Sequence, residues 1–257
     1  MDLEKYTTEM SKSVWDKAFF MDKIEGAKCI IDFGCANGAM INFLAPLFPD
    51  IAFIGYDKNK DLIALAEHKN LNTNFFSEDE YEKMVEMIKS TFSSDEICIN
   101  FSSVWHEILS AGVGSQVEAF CRELNPRYIV IRDMFFTYDT TVTNMRPSLL
   151  NSIMDKVDMK YLEEFEEKFG FTAHIKNFIH FLLKYQWKDN GWDDEMEENY
   201  FILRPTAIDF LAENYKEIFK ARYVLPHLRH KWEKLGIDCN RFRTHIQVIF
   251  ERKKNNV

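Results

Sequence analysis

The stretch from Ile30 to Gly38, IIDFGCANG, sets most of what this chain can fold into. Cys29, Ile30 and Ile31 read as a fully buried strand closed by Asp32. Gly34 and Gly38 bracket a tight turn before the helically spaced apolar residues of Met40 to Leu47. Glycine lacks a Cβ, so it takes positive φ and lets the backbone approach a ligand, while free N–H groups at a helix start attract polar or anionic groups. That geometry suits a nucleoside. Ile51 to Tyr56, IAFIGY, reads as a second buried strand ending in Asp57. An acid about twenty residues past such a turn stands where it can accept both ribose hydroxyl protons.

DFGCANG followed by GYD resembles the first two motifs of the class I S-adenosylmethionine-dependent methyltransferases. In that family a D-x-G-x-G-x-G turn holds the methionine end and a second acid holds the ribose. The resemblance implies a Rossmann-like α/β fold of seven strands, mostly parallel with an antiparallel last strand, and S-adenosyl-L-methionine as cofactor with S-adenosyl-L-homocysteine as product. It also implies cofactor contacts from Asp32, Gly34, Cys35, Ala36, Gly38, Asp57, Phe76, Ser77 and Phe101. Ala36 departs from the pattern, standing where the middle glycine usually sits. The same turn can serve a nicotinamide enzyme, but this cofactor has no pyrophosphate, so an alanine is easier to accommodate.

At 46% hydrophobic and 15% aromatic residues, the 257-residue chain folds as a globule with a sizeable core. Residues 1–257 read as one methyltransferase domain, with 171–219 inserted as a helical lid. The five cysteines, Cys29, Cys35, Cys98, Cys121 and Cys239, show no C-x-x-C pair and read as reduced thiols of a cytoplasmic protein. No signal region or membrane-length apolar run is present. Net charge is −9, yet residues 220–257 carry ten Lys or Arg against three acids, a local +7 that leaves −16 on residues 1–219. An acidic body argues against a broad nucleic-acid footprint, and the basic end argues for one anionic contact.

Along the chain, residues 3–24 read as a leading helix and Leu62 to Ala66 mark another. A strand over Thr73 to Phe76 is followed by a helix over Glu80 to Ser90. Phe76 either stacks on adenine or packs in the core, with Ser77 beside it. Glu96 to Phe101, EICINF, is the fourth strand, and ligands of open parallel sheets bind beyond the carboxyl ends of strands. His106 and Glu107 follow that end by about one helical turn. His106 is either a general base oriented by a neighbouring acid or a histidine packed on the helix of Val104 to Leu109. Arg127 to Asp133 is the fifth strand, and Arg132 at its end either pairs with an acid or offers a fork to a phosphate or carboxylate.

A helix over Leu149 to Phe169 leads into the aromatic segment holding Tyr185, Trp187, Trp192 and Tyr200. These suit a lid over a small polar substrate, an aromatic satellite core, or a dimer surface. Ala221 to Leu225 and Thr244 to Phe250 complete the strands, joined by a basic segment that contains Arg229. His227 and His230 lack accompanying ligands at metal spacing, so no metal is expected.

SSVWHEI, IRDM and LPHLRHKW also resemble bacterial methyltransferases of capsule and surface-polysaccharide modification. The resemblance implies O-methylation of a small polar or anionic acceptor, such as a capsular phosphoramidate or a sugar precursor. His106, Arg132 and Glu107 are then catalytic, and Tyr185, Trp187, Trp192, Tyr200 and Arg229 bind substrate. An RNA methyltransferase and a cofactor-binding homologue without turnover are the alternatives, and a homo-oligomer is compatible with the sequence.

Overall fold

A computed structural model describes residues 8, 12–69, 73–135, 147–201, 211–238 and 243–254. The first part of the leading helix, Arg204, Pro205 and Cys239 lie outside them. Seven strands form one sheet: β1 (Cys29–Phe33), β2 (Ala52–Tyr56), β3 (Asn74–Phe76), β4 (Ile97–Ser102), β5 (Tyr128–Met134), β6 (Tyr215–Tyr223) and β7 (His245–Arg252), in the order β3-β2-β1-β4-β5-β7-β6. β1 to β5 pair in parallel. The last two run antiparallel. Arg252, ending β7, donates to Arg127 just before β5, while Thr244 donates to Tyr223 and Lys253 to Asn214 at opposite ends of the β6–β7 pair.

Parallel strands are covered on both faces, so their sequences read as continuous apolar runs rather than alternating ones. In β1, Ile30 faces one core with Phe53, Cys98 and Val130. Ile31 faces the other, with Ile54, Ile99 and Ile131. Helix α1 (Val14–Lys17) leads the chain and α2 (Ala39–Leu44) follows β1. After β2 comes α3 (Lys60–Lys69), after β3 α4 (Tyr81–Thr91), and between β4 and β5 lie α5 (Trp105–Ser110) and α6 (Gly114–Leu124). The α2 residues Met40, Ile41 and Leu44 cover the Ile30 face. Met84, Val85 and Ile88 of α4 and Val117, Phe120 and Leu124 of α6 cover the Ile31 face.

The chain divides into two compact units, and residues 134–203 with 222–246 form the second. It contains α7 (Pro147–Met154), α8 (Met159–Phe169), α9 (Ile175–Tyr185), α10 (Trp192–Glu197) and α11 (Pro226–Lys234). The single helix expected over Leu149 to Phe169 is therefore two. The first run stops at Met154, and Asp158 caps the second, accepting the Lys160 N–H at 3.0 Å. β6 begins at Tyr215, earlier than the expected Ala221, so part of the 171–219 segment belongs to the sheet. Phe165, Phe178, Phe181, Trp192, Tyr200 and Trp232 form this unit's core. Lys184 is buried among them. Its Nζ lies 3.9 Å from the Tyr200 ring centroid and donates to the Glu195 carbonyl, and burial lowers its pKa to about 8.

Candidate functional site

The turn after β1 is tied to the end of β2. Gly34 and Cys35 both donate to the Tyr56 carbonyl, at 2.8 and 3.0 Å, and Gly38 closes the loop onto the Cys35 carbonyl at 2.9 Å. Gly34 and Gly38 have φ of +79° and +70°, and Ala36 is left-handed too at +48°. The backbone thus takes the glycine conformation at all three positions although the middle one carries a methyl group. A Cβ on Gly34 would lie 2.6 Å from the Val104 side chain, so Gly34→Ala combines left-handed strain with a clash. It is expected to cost about 2 kcal/mol. Urea denaturation checks this, and an unchanged midpoint contradicts it.

Asp57 folds back onto this turn: Oδ2 accepts the Ala36 N–H and Oδ1 the Asn59 N–H, both at 2.9 Å. Burial raises its pKa, and these two bonds oppose the rise. Asp32 is buried beside Asn100, whose amide donates to Oδ1 at 2.8 Å. Burial takes the Asp32 pKa up to about 6 against the lowering pull of Asn100 and Lys17. Asn100 Oδ1 is buried with no partner. Cys35 is buried within the turn, and burial pushes its thiol well above the ordinary range, so it stays protonated and unreactive.

The other residues expected at the cofactor are packed more deeply. Phe76 lies in the core with Tyr56 and Met84, and it is Phe75, on the opposite face of β3, whose ring approaches Gly38 and Gly55. The Phe101 ring has no exposed surface and meets Trp105 edge to face at 5.0 Å. Ser77 is buried where β3 turns into a short 3₁₀ helix, Glu78–Glu80.

At the ends of β4 and β5, successive side chains take opposite faces of the sheet. His106 and Asp133 meet on one. The His106 backbone N–H donates to Asp133 Oδ2 at 3.0 Å, and Nδ1 lies 2.8 Å from Oδ1, both side chains buried. Arg132 faces the other, pairing with Asp16 of α1 through Nε and Nη2, each 2.7 Å from Oδ2. Its Nη1 donates to Ser103 Oγ at 2.5 Å. Ser103 is itself left-handed at φ +61° and donates its N–H to the Arg132 carbonyl, so the two residues lock each other. Glu107 is partly exposed, 3.8 Å from Lys58 Nζ. Asp133, Asp16, Ser103, Asn100 and Lys17 were not anticipated. Asn100 alone left a mark in the sequence, as a polar residue inside the otherwise apolar run ICINF.

The five residues expected to bind substrate lie in the helical unit. Trp192 is buried and donates Nε1 to Glu164 at 2.7 Å; Tyr200 is buried; Tyr185 accepts the Asp158 N–H at 2.8 Å. Trp187 follows α9, where its N–H donates to the Lys184 carbonyl, and Arg229 is partly buried on α11. Among the described residues no group of three or more His, Cys, Asp and Glu could hold a metal ion, and no helix is long and apolar enough to cross a membrane.

The strand order, the antiparallel last strands and the glycine turn facing an acid just after β2 define the class I S-adenosylmethionine-dependent methyltransferase fold. A methyltransferase from Anabaena variabilis superposes with a TM-score of 0.54 at 14% identity, covering 93% of this chain and 83% of that one. A family 2 O-methyltransferase from Planctomyces limnophilus, solved with apigenin, gives 0.51 at 11% identity over 98% of this chain and 62% of that one. In sequence, protein 235L of Invertebrate iridescent virus 6, itself assigned to the methyltransferases only provisionally, is 30% identical over 95 residues. That match spans 35% of this chain and 36% of the viral protein. No family model matches the sequence.

Proposed function

We propose that the chain is an S-adenosylmethionine-dependent methyltransferase that methylates an oxygen of a small polar or anionic acceptor. The observation that carries the reading is the joint between Asp57 and the glycine turn. Each carboxylate oxygen takes one backbone N–H, which fixes the group in place and leaves a second lone pair on each for a vicinal diol. The unpartnered Asn100 Oδ1 beside buried Asp32 adds acceptor capacity suited to an ammonium, so the residues fit the cofactor. When bound, the cofactor supplies an electrophilic methyl group on a sulfonium.

For a hydroxyl acceptor, His106 takes the proton at the ring nitrogen away from Asp133, help of the kind that contributes about 10²- to 10⁴-fold. For an acceptor that is already anionic no base is needed, and Arg132 would have to position the charge. Because Arg132 is committed to Asp16 and Ser103, the hydroxyl case is the better supported. Sugar precursors of cell-surface polysaccharides carry such hydroxyls and are the first acceptors to test, with release of S-adenosylhomocysteine as readout.

The cofactor assignment is tested without an acceptor. Titration calorimetry with S-adenosylhomocysteine should show Asp57→Ala binding about 1.5 to 3 kcal/mol more weakly than the wild type, the range for charge-assisted hydrogen bonds. Equal affinities would remove Asp57 from the site.

A further inference from the structure

Between α4 and α6, the helices that cover the Ile31 face of the sheet, runs a groove of about 410 Å³. Its floor is apolar: Val85 is buried, and the half-buried Tyr81 ring lies 5.7 Å from Phe120 and 5.9 Å from Tyr56 between centroids. Its walls are acidic, with Glu82 and Glu86 on α4 and Glu123 on α6. The two cations of α4 are already used, Lys89 by Glu123 and Lys83 by Glu80, each at 3.1 Å. Among the described residues Glu82 and Glu86 enter no ion pair. Four apart on one helix face, these two carboxylates repel each other.

The chain itself carries the complementary surface. α11 buries Leu228 and Trp232 and leaves His230, Lys231 and Lys234 exposed. Lys231 and Lys234, three apart, are neighbours on their helix as Glu82 and Glu86 are on α4, with Cβ atoms about 5–6 Å apart in either pair. The two pairs match in spacing and oppose in sign, and the aliphatic stems of lysines suit a floor of Tyr81 and Val85. The same asymmetry holds for the chain as a whole, −16 on residues 1–219 against +7 on residues 220–257. We infer that the groove receives α11 of a second copy of this chain, with Lys231 and Lys234 against Glu82 and Glu86. The inference goes beyond the methyl-transfer reading and does not depend on it. Such a contact joins two different surfaces, so each added copy leaves a groove and a helix free at the ends, and association runs past a dimer or closes into a ring. Ion pairs this exposed contribute little singly and are screened by salt, so the association is weak and strongest at low ionic strength.

Sedimentation velocity of the full chain tests the inference. The wild type should gain mass with concentration at about 0.05 M salt and lose that gain at about 0.5 M. Glu82→Lys/Glu86→Lys and Lys231→Glu/Lys234→Glu each set like charges across the contact, and each should weaken association about 100-fold or more. Mixed in equal amounts, the two variants again oppose unlike charges wherever one meets the other, and association should return, which also shows that both are folded. A wild type that stays monomeric, or either variant associating as the wild type does, would overturn the inference, and so would a mixture that stays monomeric. A monomeric wild type that binds polylysine, and binds it less well as Glu82→Lys/Glu86→Lys, would give the groove to a basic segment of another protein instead.

Discussion

Asp133→Ala should lower the unfolding free energy by about 3 kcal/mol, since it strips two buried donors of one charged acceptor. The carboxylate holds His106 twice, by its backbone N–H at 3.0 Å and by Nδ1 at 2.8 Å, and so clamps the start of α5 to the end of β5. Both residues are buried, leaving little water to replace the lost acceptor. Asp133→Asn keeps one acceptor oxygen and should lose about half as much. Urea denaturation of the three proteins reads this directly, and a midpoint for Asp133→Ala equal to the wild type would show the pair to be structurally idle. The clamp also bears on chemistry. An imidazole donating from Nδ1 to a carboxylate presents its other nitrogen as the base, so Asp133 fixes the tautomer that His106 needs.

Much of the sheet was legible because its strands are short apolar runs bounded by acids, glycines or prolines, and these signals depend on neighbours in the chain alone. All five parallel strands fall within a few residues of where the pattern puts them. The glycine turn was legible for the same reason, and Asp57 reaches it as the spacing implied. What could not be read were partnerships between distant segments. Nothing in VWDK announces that Asp16 pairs with Arg132, 116 residues on, and nothing in SSVWHEI announces that Asp133 holds His106. Arg132 as an anion fork and Arg132 as a buried ion pair have the same sequence signature; only the approach of α1 distinguishes them. The β6 start was missed because its exposed edge, Tyr215 to Ala221, carries Lys and Glu in place of an apolar run, as strand edges open to solvent commonly do.

Affinity for S-adenosylhomocysteine should fall as pH drops below about 6, because the carboxylate that the resemblance puts at the methionine end titrates there. Burial raises Asp32 from 3.8 to about 6, so below that pH it is protonated and no longer attracts the α-ammonium. Asp57, also raised by burial, adds to the acid limb. The ligand-free fold has the opposite dependence: a carboxylate raised on folding costs stability as pH climbs through its folded pKa. The free protein thus bears an uncompensated buried charge above about pH 6, where a bound ammonium would compensate it. The acid limb should approach a tenfold loss per pH unit and then level off. Asp32→Asn should weaken binding while blunting the acid fall, and a flat wild-type profile from about pH 5 to about pH 7 would dismiss Asp32 as the group that grips the ligand.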